Sequence, residues 1–172
     1  ILNAAREPEI ADLADFLCSC GAHISGADSG EITVCGVKKL HSAEHTVIPD
    51  RIIASTYMAA AAVTGGDVRI LDTRAEHITP VIPVFEQAGC KVDCGENSVH
   101  ISAPVRLRSV QTVRTMPYPG FPTDSQAAVM AMLSVAHGTS VMIENIFENR
   151  YRHVRELCRL GADIMTEGKV AV

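Results

Sequence analysis

One carboxylate stands in an unusually constrained loop of this chain. Asp124 lies in Y-P-G-F-P-T-D-S-Q (Tyr118–Gln126), directly before an apolar run that has the composition of a helix. Pro117, Pro119 and Pro122 fix φ and remove backbone donors, so the tip of the loop should be stiff. A stiff loop that holds a carboxylate suits a general base or a group that orients a hydroxyl. The alternative is a helix N-cap, in which Asp124 accepts backbone N–H groups for about 1 kcal/mol.

Two other junctions between a loop and a helix carry charged side chains. Asp50 follows Pro49 and precedes an alanine-rich segment, a position typical of an N-cap. Arg150, in F-E-N-R-Y, follows a predicted strand and precedes a predicted helix, near a helix N-terminus where anions bind. The alternative for Arg150 is a surface ion pair, which stabilises a fold by at most about 1 kcal/mol.

The elements that position these residues come from a repeat. Three similar stretches, Gly21–Ile24, Gly89–Val92 and Gly161–Ile164, are spaced by 68 and 72 residues. Each follows a segment with apolar residues at helical period, and each glycine stands where a helix C′ residue needs a positive φ. A short alternating strand, a turn and a second strand are predicted after each glycine.

A second similarity lies inside the repeat. The alanine-rich segments after Asp50 and Asp124 both end in glycine and lead into a strand. A unit of about 70 residues therefore reads helix–strand–helix–strand–strand, and such internal repetition predicts stacked or symmetric units. Helices rich in Ala and Met with few charges are expected to be buried. The predicted fold is of the α/β class, with helices inside and small sheets outside.

Composition excludes several classes of function. The chain has 15 basic and 20 acidic residues, a net charge of −5 and no Lys/Arg cluster, which argues against nucleic-acid and membrane-surface binding. The longest nearly apolar stretch, Ala127–Ala136, is about half the length of a membrane span. A cytoplasmic protein is therefore expected. P-loop, dinucleotide and nucleophile-elbow motifs are missing, so no cofactor is predicted.

The six cysteines do not form a metal-binding pattern. No histidine follows Cys90 and Cys94 at finger spacing, and Cys18 and Cys20 would point to different faces of a helix. We predict small buried thiols rather than a metal site or disulfides. His153 and Glu156 stand three apart on a predicted helix, and we interpret them as a solvated polar face rather than as metal ligands.

Five motifs occur together and in order, and they carry a resemblance to a known family. The chain resembles the UDP-N-acetylglucosamine 1-carboxyvinyltransferases, a family of enolpyruvyl transferases, over essentially all 172 residues. The pair P-G-F-P-T-D and F-E-N-R is highly specific within that family. The motifs are A-R-E-P-E-I (Ala5–Ile10), I-P-D-R-I (Ile48–Ile52), A-A-A-V-T-G-G-D-V (Ala60–Val68), P-G-F-P-T-D (Pro119–Asp124) and F-E-N-R (Phe147–Arg150).

The resemblance implies a fold and a reaction. Family members have two lobes, each an inside-out α/β barrel of three repeated units, and bind both substrates in the cleft between the lobes. They transfer the enolpyruvyl group of phosphoenolpyruvate to the 3′-hydroxyl of UDP-N-acetylglucosamine, the first committed step of peptidoglycan synthesis. Residues 1–47 would close the first lobe, and residues 48–172 would supply the first two units of the second. In isolation the three units could also pack as one pseudo-threefold barrel.

The resemblance also implies roles for matching residues. Asp124 matches the carboxylate that contacts the 3′-hydroxyl, which is the favoured base. Ile146 matches an apolar position whose backbone touches the nucleotide sugar. Arg150 matches an arginine on the phosphate side of the cleft, and Arg51 is expected to face the cleft. Asp50 would lie near the hinge.

The chain also departs from the family pattern. The family's reactive cysteine lies in an earlier segment, so none of the six cysteines is expected to be catalytic. We expect an internal fragment that is inactive alone and needs the rest of its own chain to complete the cleft. Ser125 stands where Met is usual, and Tyr118 where His is common. Two alternatives stay open: a shikimate-phosphate enolpyruvyl transferase, and a paralogue that binds the nucleotide sugar without catalysis.

Overall fold

The computed structural model describes all residues from Ile1 to Val172. It divides into two compact units. The first contains Ile1–Pro49 together with Pro117–Pro119, and the second contains Asp50–Met116 together with Gly120–Val172.

The first unit is a helix followed by a two-stranded antiparallel ribbon. Helix α1 (Pro8–Ser19) begins with a proline, which suits the first turn because its missing N–H would have no partner there. Strands β1 (His23–Ser25) and β2 (Thr33–Cys35) pair in antiparallel register. Within this unit the side chains of Ala14, Cys20 and Ile32 are buried.

The second unit carries five helices and two sheets. Its helices are α2 (Arg51–Val63), α3 (Ala75–Ile78), α4 (Ile82–Gln87), α5 (Gln126–Leu133) and α6 (Val154–Arg159). One sheet is antiparallel in the order β3-β5-β4, and the other has four strands in the order β6-β7-β9-β8. The strands are β3 (Asp67–Leu71), β4 (Lys91–Gly95), β5 (Ser98–Ser102), β6 (Thr112–Arg114), β7 (Val141–Ile143), β8 (Thr166–Glu167) and β9 (Val170–Ala171).

Helices α2 and α5 lie in the core of the second unit, as their composition predicts. Met58 on α2 and Val129 on α5 are fully buried, and alanines line much of the rest of α2. Because alanine side chains are short, the two helices can pack closely. The hydroxyls of Ser55 and Ser125 form a buried hydrogen bond of 2.7 Å, so Ser125 has a partner on α2.

Asp50 caps α2, as predicted. Its Oδ1 accepts hydrogen bonds from the N–H groups of Ile52 at 2.8 Å and Ile53 at 3.1 Å. These are two of the four amides that a helix N-terminus leaves without partners.

The predicted glycine ends of the three repeat helices are confirmed. Gly21, Gly89 and Gly161 have φ values of 96°, 99° and 100°. In each case the glycine N–H and the next N–H bond back to carbonyls three and five residues earlier, the two bonds of the Schellman motif. Gly161, for example, donates to the carbonyl of Cys158, and Ala162 donates to that of Leu157.

Two expectations about side-chain environment are corrected. Only Cys20 and Cys90 are buried, whereas Cys18, Cys35, Cys94 and Cys158 are exposed, and all six are free thiols. The exposed cysteines lie on both helices and strands, and the spacing of cysteines does not reveal which face of an element is covered. His153, the cap residue directly before α6, is half-buried rather than solvated, because its ring packs against Met130, whose sulfur lies 3.3 Å from Nε2. Burial lowers the pKa of His153.

The structure has neither a membrane-spanning helix nor a metal-binding cluster. No helix combines the length and apolar composition needed to cross a membrane. No group of three or more His, Cys, Asp or Glu side chains is arranged to hold a metal ion.

Candidate active site

The site lies where two parallel strands of the second unit end. Strands β6 and β7 pair in parallel, with Arg114 opposite Ile143. The loops that follow them therefore leave from the same edge of the sheet. The loop after β6 leads to Asp124, and the loop after β7 leads to Arg150, so residues 26 positions apart in sequence can meet. The Met116 N–H donates to the Phe121 carbonyl at 2.9 Å and brings the chain on either side of the loop tip together.

Asp124 and Arg150, the two principal charged residues predicted for the site, form an ion pair. The Arg150 Nη2 lies 2.6 Å from the Asp124 Oδ1. Both side chains stay accessible, with 37% of the arginine and 55% of the aspartate exposed. The Arg150 guanidinium also lies 5.1 Å from the centroid of the Phe147 ring, a cation–π contact. A carboxylate and a guanidinium are thus held together at a surface that solvent, and hence a ligand, can reach.

The alternative prediction of an N-cap role for Asp124 is wrong. Asp124 is the middle residue of a 3₁₀ turn (Thr123–Ser125) that leads into α5. The cap position of that turn is Pro122, and the cap position of α5 is Ser125, which makes no side-chain cap hydrogen bond. Because its carboxylate points to Arg150 instead, Asp124 differs from Asp50, which does cap its helix.

A buried carboxylate is hydrogen-bonded to both of these loops. Glu144, the residue directly after β7, is 1% exposed. It accepts hydrogen bonds from the hydroxyls of Thr115 and Thr123, each at 2.8 Å. It also accepts from the N–H groups of Ile146 at 2.8 Å and Phe147 at 3.1 Å. Every one of these donors belongs to the end of β6, the Asp124 loop or the Arg150 loop.

These donors keep Glu144 ionised. Burial by itself would raise the pKa of this carboxyl, but the four hydrogen bonds to the charged form outweigh it. The pKa of Glu144 is therefore lowered, with the Phe147 N–H as the largest favourable contribution. A buried charge of this kind is tolerated only when its acceptor sites are satisfied, and here they are.

The remaining predicted residues take different positions. Ile146 lies beside the ion pair in sequence and is 37% exposed, and its N–H is occupied by Glu144. The backbone group it can offer a ligand is therefore its carbonyl. Arg51 is the first residue of α2, and its side chain is 7% exposed.

Glu144 was missed because its environment could not be read from composition. It follows the apolar stretch S-V-M-I and precedes Asn145, so it reads as an ordinary polar residue at a strand end. The sequence does place a carboxylate between a predicted buried strand and the F-E-N-R motif. It also places threonines at positions 115 and 123, before Asp124. Only the parallel pairing of β6 and β7 brings these groups together.

Comparisons with known proteins agree with this architecture. A sequence model of the EPSP synthase family, described as 3-phosphoshikimate 1-carboxyvinyltransferase, matches residues 1–171. The chain is 48% identical over 172 residues to UDP-N-acetylglucosamine 1-carboxyvinyltransferase 2 of Caldanaerobacter subterraneus subsp. tengcongensis, and covers 41% of that protein. It is 51% identical over 169 residues to UDP-N-acetylglucosamine 1-carboxyvinyltransferase of Geotalea daltonii; 98% of this chain and 40% of that protein are covered.

Solved structures give the same fold. The enolpyruvyl transferase NikO from Streptomyces tendae matches with a TM-score of 0.85 and 24% identity, over 99% of this chain and 41% of that one. The EPSP synthase from Acinetobacter baumannii matches with a TM-score of 0.62 and 20% identity, over 92% of this chain and 38% of that one. The predicted fold class, the inside-out α/β fold of enolpyruvyl transferases, is confirmed for the part of the fold that this chain covers.

The relatives that this chain matches are much longer than the chain itself. The chain spans 40–41% of the length of the two curated relatives named above, while the family model covers it almost from end to end. On that match, the chain belongs to the EPSP synthase family of carboxyvinyltransferases.

Proposed function

We propose that the protein containing this chain transfers the enolpyruvyl group of phosphoenolpyruvate to the 3′-hydroxyl of UDP-N-acetylglucosamine. The observation that carries the proposal is the exposed Asp124–Arg150 pair, in which the two residues singled out from the sequence meet at 2.6 Å. The 48–51% identity to relatives that bear the name of this activity supports the choice of substrates.

In the proposed reaction Asp124 is the general base. Its carboxylate takes the proton of the 3′-hydroxyl while the hydroxyl oxygen bonds to C2 of phosphoenolpyruvate, and C3 receives a proton from an acid in the rest of the enzyme. The product of this addition is a tetrahedral ketal. Elimination then removes a proton from C3 and releases phosphate, which restores the double bond. General-base assistance of this kind contributes about 10²–10⁴-fold to rate.

Arg150, Ile146 and Arg51 are proposed to bind substrate. A guanidinium is suited to a phosphate or carboxylate because it can donate two parallel hydrogen bonds. An anionic ligand at Arg150 would take over the guanidinium from Asp124 and leave that carboxylate available to a hydroxyl. The Ile146 carbonyl can accept a hydrogen bond from the nucleotide sugar. Arg51, being buried in this structure, would need to contribute from beneath the surface or after rearrangement.

The setting of the activity follows from the same proposal. Residues 1–47 would complete a first lobe, residues 48–172 would begin a second, and the remainder of the polypeptide would complete the cleft. The reaction would take place in the cytoplasm and would be the first committed step of peptidoglycan synthesis. It would thereby support cell wall formation, cell shape and cell division. The chain alone is proposed to be inactive.

The alternatives have weaker support. The structures of EPSP synthase that match this fold are 15–20% identical to the chain, far below the nucleotide-sugar relatives. A shikimate-phosphate acceptor is therefore less favoured, although the family model bears that name. A paralogue that binds the nucleotide sugar without catalysis would not need a carboxylate that is exposed and free of helix capping, as that of Asp124 is.

The test has two parts. A full-length relative whose corresponding segment is replaced by this chain should release phosphate from phosphoenolpyruvate when UDP-N-acetylglucosamine is added, and not when shikimate 3-phosphate is added. Release with shikimate 3-phosphate alone would favour the first alternative, and binding without release the second. In parallel, ¹⁵N–¹H spectra of this chain titrated with UDP-N-acetylglucosamine should shift at Phe121–Asp124 and Ile146–Arg150, with UMP as the control.

A further inference from the structure

We propose that Glu144 is a positioning residue that sets the placement of Asp124 relative to Ile146 and Arg150. The inference deepens the proposed function and rests on it. Glu144 itself is buried and does not reach a ligand, so its role would be exerted through the two loops that it joins.

The division of contacts between its two oxygens carries the argument. Oε2 accepts from the Thr123 hydroxyl at 2.8 Å, and Thr123 directly precedes Asp124. Oε1 accepts from the N–H groups of Ile146 and Phe147, in the loop that ends at Arg150. One carboxylate thus holds the Asp124 loop with one oxygen and the Arg150 loop with the other.

A further contact fixes Glu144 to the sheet. The fully buried Thr115 hydroxyl donates to Oε1 at 2.8 Å and accepts from the Asn145 N–H, also at 2.8 Å. Because Thr115 follows β6 and Glu144 follows β7, the carboxylate is anchored where the two parallel strands end. Hydrogen bonds to an ionised acceptor are shorter and stronger than neutral ones, so this geometry resists displacement.

The consequence for the reaction is a fixed separation of catalytic and binding groups. A displacement of about 1 Å at a reacting group can cost about 10²-fold in rate. Removing the Thr123 hydroxyl would release the Asp124 loop while the Arg150 loop keeps its two amide contacts. A loss of activity from that change would come from positioning, since Thr123 would neither transfer a proton nor bind the acceptor hydroxyl in the proposed reaction.

The experiment compares Thr123→Val, which keeps the shape and removes the donor, with Thr123→Ser, which keeps the donor. Thr112→Val on β6 is the matched control, because that threonine is exposed. In the full-length relative carrying this segment, Thr123→Val should lower kcat about 10- to 100-fold, with KM for the nucleotide sugar changed less than about 3-fold. Thr123→Ser should restore kcat to within about 3-fold of the unsubstituted protein.

Glu144→Gln provides a second variant. It keeps the size of the side chain but exchanges an acceptor for a donor, so it should lower kcat at least as much as Thr123→Val. If both variants melt at a lower temperature yet turn over like Thr112→Val when assayed well below that temperature, Glu144 is only a structural residue and the inference is wrong.

A measurement without substrate separates this inference from the proposed function. In this chain, Asp124→Asn should move the NMR signal of the Arg150 guanidinium, and the response should shrink when Thr123→Val is also present. An undiminished response would overturn the inference. If the unsubstituted full-length protein lacks the proposed activity, the proposed function fails, while this measurement still decides the role of Glu144.

Discussion

Replacing Asp124 by Asn tests whether this residue is a catalytic base or only a partner in a structural ion pair. A catalytic base predicts a large loss of activity with a small loss of stability, whereas a structural partner predicts the reverse. At the observed 2.6 Å, two unit charges in bulk water attract by about 1.6 kcal/mol by Coulomb's law. Both partners are more than one-third exposed, so ordering two side chains and screening by salt reduce the net value to about 0.2–1 kcal/mol.

The expected loss of stability is therefore small. For a chain of this length, 1 kcal/mol corresponds to about 2–4 °C in Tm, so Asp124→Asn should lower Tm by no more than that. The expected loss of activity is large: in the full-length protein kcat should fall about 10²–10⁴-fold. Urea or thermal unfolding of this chain supplies the first value, and phosphate release in the full-length protein supplies the second.

Glu156→Gln is the matched control. Glu156 pairs with Arg159 at 2.7 Å, with both side chains more than 60% exposed, and the pair has no proposed catalytic role. It should cost as little stability as Asp124→Asn and leave kcat unchanged. Turnover by Asp124→Asn within a few-fold of the unsubstituted protein would refute the assignment of the base. A stability loss of several kcal/mol would refute the treatment of the pair as exposed and screened.

Three further outcomes follow from the fold. Asp50→Ala should lower the free energy of unfolding by about 1 kcal/mol in urea, because α2 loses its cap, and Asp50→Ser should recover most of it. Gly161→Ala should cost about 1–2 kcal/mol, because only φ opposes it: a Cβ there meets no neighbour. Gly30→Ala, equally open and without a positive φ, should be nearly neutral in the same urea experiment. Because the pKa of Glu144 is lowered by folding, the unfolded chain binds more protons than the folded chain in acid. Glu144 therefore stabilises the fold above the ordinary glutamate pKa, and this stabilisation is lost as the pH falls through the pKa of the folded state. Between pH 7 and pH 3, the free energy of unfolding in urea should fall less steeply with pH for Glu144→Gln than for the unsubstituted chain. Identical slopes would contradict the lowered pKa of Glu144.

Local rules were sufficient to predict much of the fold from the sequence. The glycines at 21, 89 and 161 could be placed because a left-handed residue after a helix is almost always glycine. The buried position of α2 and α5 followed from helices with few charges. In each case the deciding information lies within a few residues of the element concerned.

The candidate site was only partly predictable, because its deciding contacts join distant residues. Asp124 and Arg150 could be singled out by their junctions, but their contact depends on the parallel pairing of β6 and β7. Glu144 acquires its role from donors on three separate segments, and no local pattern records that. The exposure of four cysteines likewise depends on which face of each helix or strand is covered.

The helix ends of the three repeats also bear on how the chain is made. In each Schellman motif the closing hydrogen bonds reach back no more than five residues, from Ala22 to Leu17 in the first. Such bonds require no partner from another repeat. As the nascent chain leaves the ribosome, each of these helices can therefore be terminated as soon as the residue after its glycine has emerged. The pairing of β6 with β7, in contrast, can form only after about 30 residues beyond β6 have been synthesised, at about 5–20 residues per second.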